Sequence, residues 1–207
     1  MKVMLVNGSP HKEGSTYHCL TEIKNTLKEE GIESDIFWLG TKPIIGCQGC
    51  GACRKLGKCV HDDVVNEFLA IAGGYDGFVF GTPVHYAAAS GAITSFMDRI
   101  FYAGSKELFY MKPASAISIA RRGGTTATWD QLNKYFGISQ MPIVTSQYWN
   151  MVHGAYGDQV KQDEEGMQTM RTLARNMAFM IKCFKVGQEH GVELPKREKG
   201  IGTNFIR

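Results

Sequence analysis

Lys2-Val3-Met4-Leu5-Val6-Asn7-Gly8-Ser9-Pro10-His11-Lys12-Glu13-Gly14-Ser15-Thr16 is the stretch on which the fold turns. Its apolar start, closed by Asn7 and Gly8, reads as a buried strand. A turn rich in glycine and hydroxyl groups then opens into a helical pattern that carries Leu20, Ile23 and Leu27 on one face. Strand, short turn and helix in that order form the first half of a βαβ unit, which requires parallel strands in one sheet.

Further β-rich runs lie at 34–39, 77–81, 114–119 and 141–146, each followed by glycine, proline or polar residues. Helical spacing recurs at Val64, Val65, Phe68 and Leu69, at Ile93, Phe96, Met97 and Ile100, and over 129–136. A last helix carries Met170, Leu173, Ala174, Met177, Ile181 and Phe184 on one face, with the methionines as core packing. The expectation is an α/β three-layer sandwich: a five-stranded parallel sheet with helices on both faces. Residues 1–190 make one domain and 191–207 a Gly- and Lys-containing tail.

The chain has 207 residues, 43% hydrophobic and 21% charged, so it can close its core without disulfides or a structural metal. A net charge of +3 with scattered Lys and Arg offers no basic stripe for nucleic acid. No run is long and apolar enough for a membrane span or secretory signal, which predicts a cytoplasmic protein. In a reducing compartment, clustered cysteines hold metal or do redox chemistry sooner than they form disulfides.

In a parallel sheet of this kind ligands bind beyond the carboxyl ends of the strands, where strand order reverses. The loop after the first strand, with Ser9, His11, Ser15 and Thr16 at a helix start, suits a phosphate; the alternative is an ordinary helix capped by Ser15. It is neither a G-x-x-x-x-G-K-[ST] loop nor a G-x-G-x-x-G turn. After the third strand, Thr82-Pro83-Val84-His85-Tyr86 offers a wall for a planar ring, and Arg121-Arg122-Gly123-Gly124 after the fourth adds two cations. Each loop alone could be a plain turn. Together they suit a planar cofactor bearing one phosphate, and flavin mononucleotide (FMN) fits that description.

Val6-Asn7-Gly8-Ser9-Pro10, Gly14-Ser15-Thr16, Thr82-Pro83-Val84-His85-Tyr86, the run from Gly91 through Phe96-Met97-Asp98-Arg99 and the intervening cysteines resemble the NADPH-dependent FMN reductase family, more narrowly its iron-sulfur flavoprotein branch. The resemblance implies a flavodoxin-like fold, with the FMN phosphate on Ser9, His11, Ser15 and Thr16. It also implies the isoalloxazine against Pro83, Val84, His85 and Tyr86 and near Arg121, Arg122, Gly123 and Gly124, in a homodimer or homotetramer.

Cys47, Cys50, Cys53 and Cys59 form C-x2-C-x2-C-x5-C, close to the compact spacing of iron-sulfur proteins. A four-iron cluster, a zinc knot and four uncoordinated thiols all remain open on spacing; the resemblance implies the cluster (4Fe-4S). A C-x5-R phosphatase loop is excluded, because Cys53 stands where arginine is needed. Cys19 and Cys183 read as buried structural cysteines. Asp62 and Asp63 read as the cap of a helix over 62–73. The aromatic-rich segment with Tyr148, Trp149, His153 and Tyr156 reads mainly as packing, with a flavin cover or subunit contact as the alternative.

The resulting expectation is an FMN-dependent oxidoreductase. NAD(P)H gives hydride to flavin N5, and electrons leave to a small acceptor such as a quinone, nitro or azo compound, or singly through the cluster. A backbone N-H of the 84–86 turn and the Arg121 and Arg122 charges support the reduced flavin, and no side chain is assigned as general acid. The alternative is a non-enzymatic electron carrier that docks with redox proteins; such carriers tend to be acidic, unlike this chain.

Overall fold

The computed structural model describes residues 1–198 and 200–203. Its elements are β1 (Lys2–Asn7), α1 (Ser15–Glu29), β2 (Glu33–Trp38), α2 (Cys53–Leu56), α3 (Val64–Ala72), β3 (Gly77–His85), β4 (Ala88–Ala89), α4 (Gly91–Ala103), α5 (Lys106–Phe109), β5 (Ala114–Ala120), α6 (Thr125–Ile138), β6 (Met151–His153), a 3-10 segment (Gly157–Gln162) and α7 (Glu164–Glu189). Residues 191–198 and 200–203 carry no helix or strand, and the rest of the expected tail, 199 and 204–207, lies outside the described residues.

Five parallel strands stand in the order β2-β1-β3-β5-β6, and the two-residue β4 folds back antiparallel on the end of β3. Strand order reverses between β1 and β3, so their carboxyl ends open the crevice of a flavodoxin-like sheet. Alternation along each strand builds two cores. Val3 and Leu5 of β1, Val79 of β3 and Ile117 and Ile119 of β5 face α1 and α7, meeting Leu20, Ile23, Leu27, Met170, Leu173 and Met177. Met4, Val6, Phe78, Phe80 and Ala116 face α3, α4 and α6, meeting Phe68, Phe96, Ile100, Leu132 and Phe136. The second core is largely aromatic: Phe68 meets Phe96 edge-on at 5.1 Å, and Phe80 lies 5.4 Å from Phe136.

The structure corrects two strands. The fifth was expected over 141–146, but β6 is Met151–His153, which pairs with Ser118–Ala120 of β5. The 141–146 run makes only an isolated bridge, Ile143 opposite Ala114, with the Ala114 N-H donating to Pro142 O and the Val144 N-H to Ala114 O. Pro142 has no N-H to give a ladder, and the chain then leaves the sheet until Asn150. That excursion is held inside by Asn150, whose Nδ2 donates to Ser115 Oγ at 2.8 Å, while Ser115 Oγ donates to Val144 O at 2.8 Å. β3 in turn runs past the expected 77–81 to His85. β1 ends at Asn7 opposite Gly81, so from Thr82 onward β3 has no β1 partner, and Pro83 is tolerated there opposite Ile119.

The helix expected over 62–73 is Val64–Ala72. Asp63 alone caps it, its Oδ1 accepting from the Val65 N-H at 3.1 Å, while Asp62 accepts from Asn66 Nδ2. Among the described residues no helix is long and apolar enough to cross a membrane.

Candidate flavin and cysteine sites

The loop after β1 is fixed by its own polar groups. Asn7 Oδ1 accepts from the Ser9 N-H at 3.0 Å, Asn7 Nδ2 donates to Lys12 O at 3.1 Å, and Ser9 Oγ accepts from the His11 N-H at 3.1 Å. Trp38, at the end of β2, donates its indole N-H to Ser9 O at 2.8 Å. Ser15 is not the N-cap: Gly14 is, in extended conformation, and no side chain caps α1. The first N-H groups of a fifteen-residue helix are therefore not taken by a cap, and they open beside Ser9, Ser15 and buried Thr16. A Cβ at Gly14 would lie 2.9 Å from His11 Cβ, so glycine is what lets the turn close this tightly.

β3 and the start of α4 meet this turn, and the loop after β5 packs in turn on β3. The Gly8 N-H donates to Gly81 O at 2.8 Å, and Ser90 Oγ, at the start of α4, donates to Gly8 O at 3.0 Å. Pro83, Val84 and His85 are the last residues of β3 and not a loop; Tyr86 and Ala87 turn the chain into β4. Tyr86 has φ 61°, a left-handed backbone rare for a bulky residue, and its side chain is fully exposed. Gly124, at φ 94°, packs so closely on Val84 that a Cβ would lie 2.8 Å from Val84 Cγ1. Thus Gly124 joins the third- and fourth-strand loops, and Arg121 and Arg122 stand exposed beside the junction.

Cys47, Cys50, Cys53 and Cys59 line one pocket together with His61, Arg99 and Tyr102. Gly49, Gly51 and Gly57 take positive φ of 64°, 70° and 67°, which lets the loop curl around it. Cys53 Sγ donates to Tyr102 O at 3.5 Å. Cys47 and Cys50 are exposed, Cys53 and Cys59 half-buried. Among the described residues no three His, Cys, Asp or Glu side chains stand close enough to hold a single metal ion. Cys19 is buried as expected; Cys183 is exposed, a correction that follows from its place on the outer face of α7.

Arg99 of α4 is the charged side chain that sequence reasoning missed as a site residue. It is 1% exposed and engages every guanidinium nitrogen. Nη1 donates to Asp63 Oδ2 at 2.6 Å and Ile45 O at 3.3 Å. Nη2 donates to Asp63 Oδ1 at 2.9 Å, His61 O at 3.1 Å and Cys59 Sγ at 3.2 Å, and Nε to Cys59 Sγ at 3.3 Å. Burial opposes its charge, but the bonds to Asp63 and Cys59 outweigh that and hold the guanidinium above its ordinary range. The available signal was an arginine at an inward position beside Phe96 and Ile100. Tyr148, Trp149 and Tyr156, read mainly as packing, are instead exposed, and His153 ends β6.

Residues 1–155 match the NADPH-dependent FMN reductase family. An iron-sulfur flavoprotein of Methanocaldococcus jannaschii is 32% identical over 192 residues, covering 89% of this chain and all of that one. An iron-sulfur flavoprotein of Methanosarcina thermophila is 24% identical over 91% of this chain and all of its own length. Among solved structures, RosB with bound intermediate 8-demethyl-8-formylriboflavin-5'-phosphate superposes with a TM-score of 0.69 at 14% identity, over 100% of this chain and 94% of that one. An archaeal flavodoxin gives 0.59 at 12% identity, over 88% and 99%. These two likenesses show the fold. With the match over residues 1–155 and the first relative aligned along its whole length, the chain belongs to the NADPH-dependent FMN reductase family, in its iron-sulfur flavoprotein branch.

Proposed function

We propose that this chain is an FMN-dependent NAD(P)H oxidoreductase that passes electrons to a small acceptor such as a quinone, nitro or azo compound, or singly through a 4Fe-4S cluster. The observation that carries the reading is the convergence of three loops at the β1/β3 switch point: Gly8 on Gly81, Ser90 on Gly8 and Gly124 on Val84. The residues fit FMN, since an uncapped helix start bordered by hydroxyls suits a phosphate. When bound, FMN supplies the redox chemistry. Ser9, His11, Ser15 and Thr16 would hold its phosphate. Pro83, Val84, His85 and Tyr86 would orient its ring, with Gly123 and Gly124 closing the other side. Arg121 and Arg122 bring positive charge to the mouth, which favours the negative charge added on reduction.

What supports a cluster is that all four cysteines line one pocket at a compact C-x2-C-x2-C-x5-C spacing. Cys47, Cys50, Cys53 and Cys59 would be its ligands, and it would supply one-electron transfer. The test is steady-state NADH or NADPH oxidation with a quinone present. Sustained turnover supports the enzyme; one stoichiometric reduction without turnover would make the chain an electron carrier.

A further inference from the structure

Arg99 is the one fully buried charged side chain among the described residues, and its bonding pattern exceeds what burial requires. Asp63 takes two N-H groups in a fork and the carbonyls of Ile45 and His61 take others, which is already sufficient to keep the charge. The remaining edge, Nε and Nη2, is turned onto one sulfur, that of Cys59, at 3.3 and 3.2 Å. A neutral thiol is a weak acceptor and a poor use of two cationic donors; a metal-bound thiolate is a good one. Around it the Cys59 backbone is also pinned, its N-H donating to Asn66 Oδ1 at 2.9 Å and its carbonyl accepting from Asn66 Nδ2 at 3.0 Å. Cys47 and Cys50, by contrast, are exposed and make no side-chain hydrogen bond among the described residues.

We propose that Arg99 is the positioning and tuning residue of the cysteine centre. It presets the Cys59 sulfur as the fixed corner onto which the 47–53 loop closes, and its two N-H···S bonds raise the reduction potential of the bound cluster. The proposal rests on the cluster reading above. Reduction adds one electron, from the reduced flavin, to a centre that four thiolates already make anionic; no bond breaks and no proton moves. Donors aimed at a ligand sulfur stabilise the added charge, so the reduced form gains more than the oxidised form. Asp63 offsets part of that effect by neutralising the guanidinium.

This predicts opposite shifts from the two partners. In protein purified without oxygen and reconstituted with iron and sulfide, Arg99→Lys keeps a cation but loses the fork, and should move the cluster midpoint to more negative potential. Asp63→Asn leaves Arg99 uncompensated while still able to cap α3, and should move it to more positive potential. FMN content and melting temperature, measured alongside, report folding; if Arg99→Lys does not fold, the sign of the Asp63→Asn shift decides. A purely structural anchor predicts no such pair of signs. Wild-type cluster with unmoved potentials in the folded variants would overturn the proposal alone, whereas wild-type protein that takes up no iron or sulfide would overturn the cluster reading and this proposal with it.

Discussion

Two glycines hold the crevice at the β1/β3 switch point closed at its base and side. A Cβ at Gly8 would lie 2.9 Å from two Ile93 carbons and 3.0 Å from Gly81 O, so Gly8→Ala should cost about 1–3 kcal/mol, read by urea unfolding. At Gly124 the positive φ and the 2.8 Å approach to Val84 coincide, and Gly124→Ala should push the β3–β4 turn from the Arg121 loop. FMN affinity should then drop at least tenfold, an effect visible in fluorescence titration of the apoprotein. Cys19 gives a pH signature. Burial, with the charges of Asp163 and Glu22 adding, pushes its thiol far above its ordinary 9.0. The unfolded chain sheds that proton above about pH 9 while the native state keeps it. Stability from this group is therefore complete below pH 9 and falls above it, by up to about 1.4 kcal/mol per pH unit. Cys19→Ala should flatten the alkaline limb relative to wild type in unfolding experiments at pH 8 to 10.

Among the elements, the aromatic layer under α3, α4 and α6 carries one side of the sheet. Phe68 is fully buried and touches Phe37, Phe78 and Phe96. Phe68→Ala should cost about 3–5 kcal/mol by chemical denaturation. Sequence periodicity reveals this layer well, because Phe68, Phe96 and Ile100 stand at helical spacing and Phe78 and Phe80 alternate with Val79. It fails at the fifth strand. There Met141 to Ser146 is apolar enough for a strand, yet Pro142 breaks the ladder and a buried Asn150–Ser115 bond, invisible to pattern, returns the chain to the sheet ten residues later than the apolar run begins. Asn150→Ala, which leaves Ser115 short of a partner, should cost about 1–3 kcal/mol. Helix caps depend on similar local detail: Ser15 has the chemistry of a cap, but the turn closed by Gly14 puts it inside the helix.

Across the whole molecule, α4 spans the two proposed sites: the crevice loops meet its start through Ser90, and the cysteine pocket lies near its close at Arg99 and Tyr102. The loop residues of the crevice were legible because glycine, proline and hydroxyls mark turns, and their convergence follows from strand order. Arg99 was not, since a charged residue in a helix reads as solvent-facing until packing shows otherwise. The central claim, that three loops form one FMN site, is tested most directly by the absorption spectrum of protein purified without oxygen, with iron and acid-labile sulfide assayed on the same sample. The account predicts flavin bands, a broad iron-sulfur shoulder and about four irons per chain, the count four thiolate ligands imply. Absence of flavin even after FMN is added would contradict it.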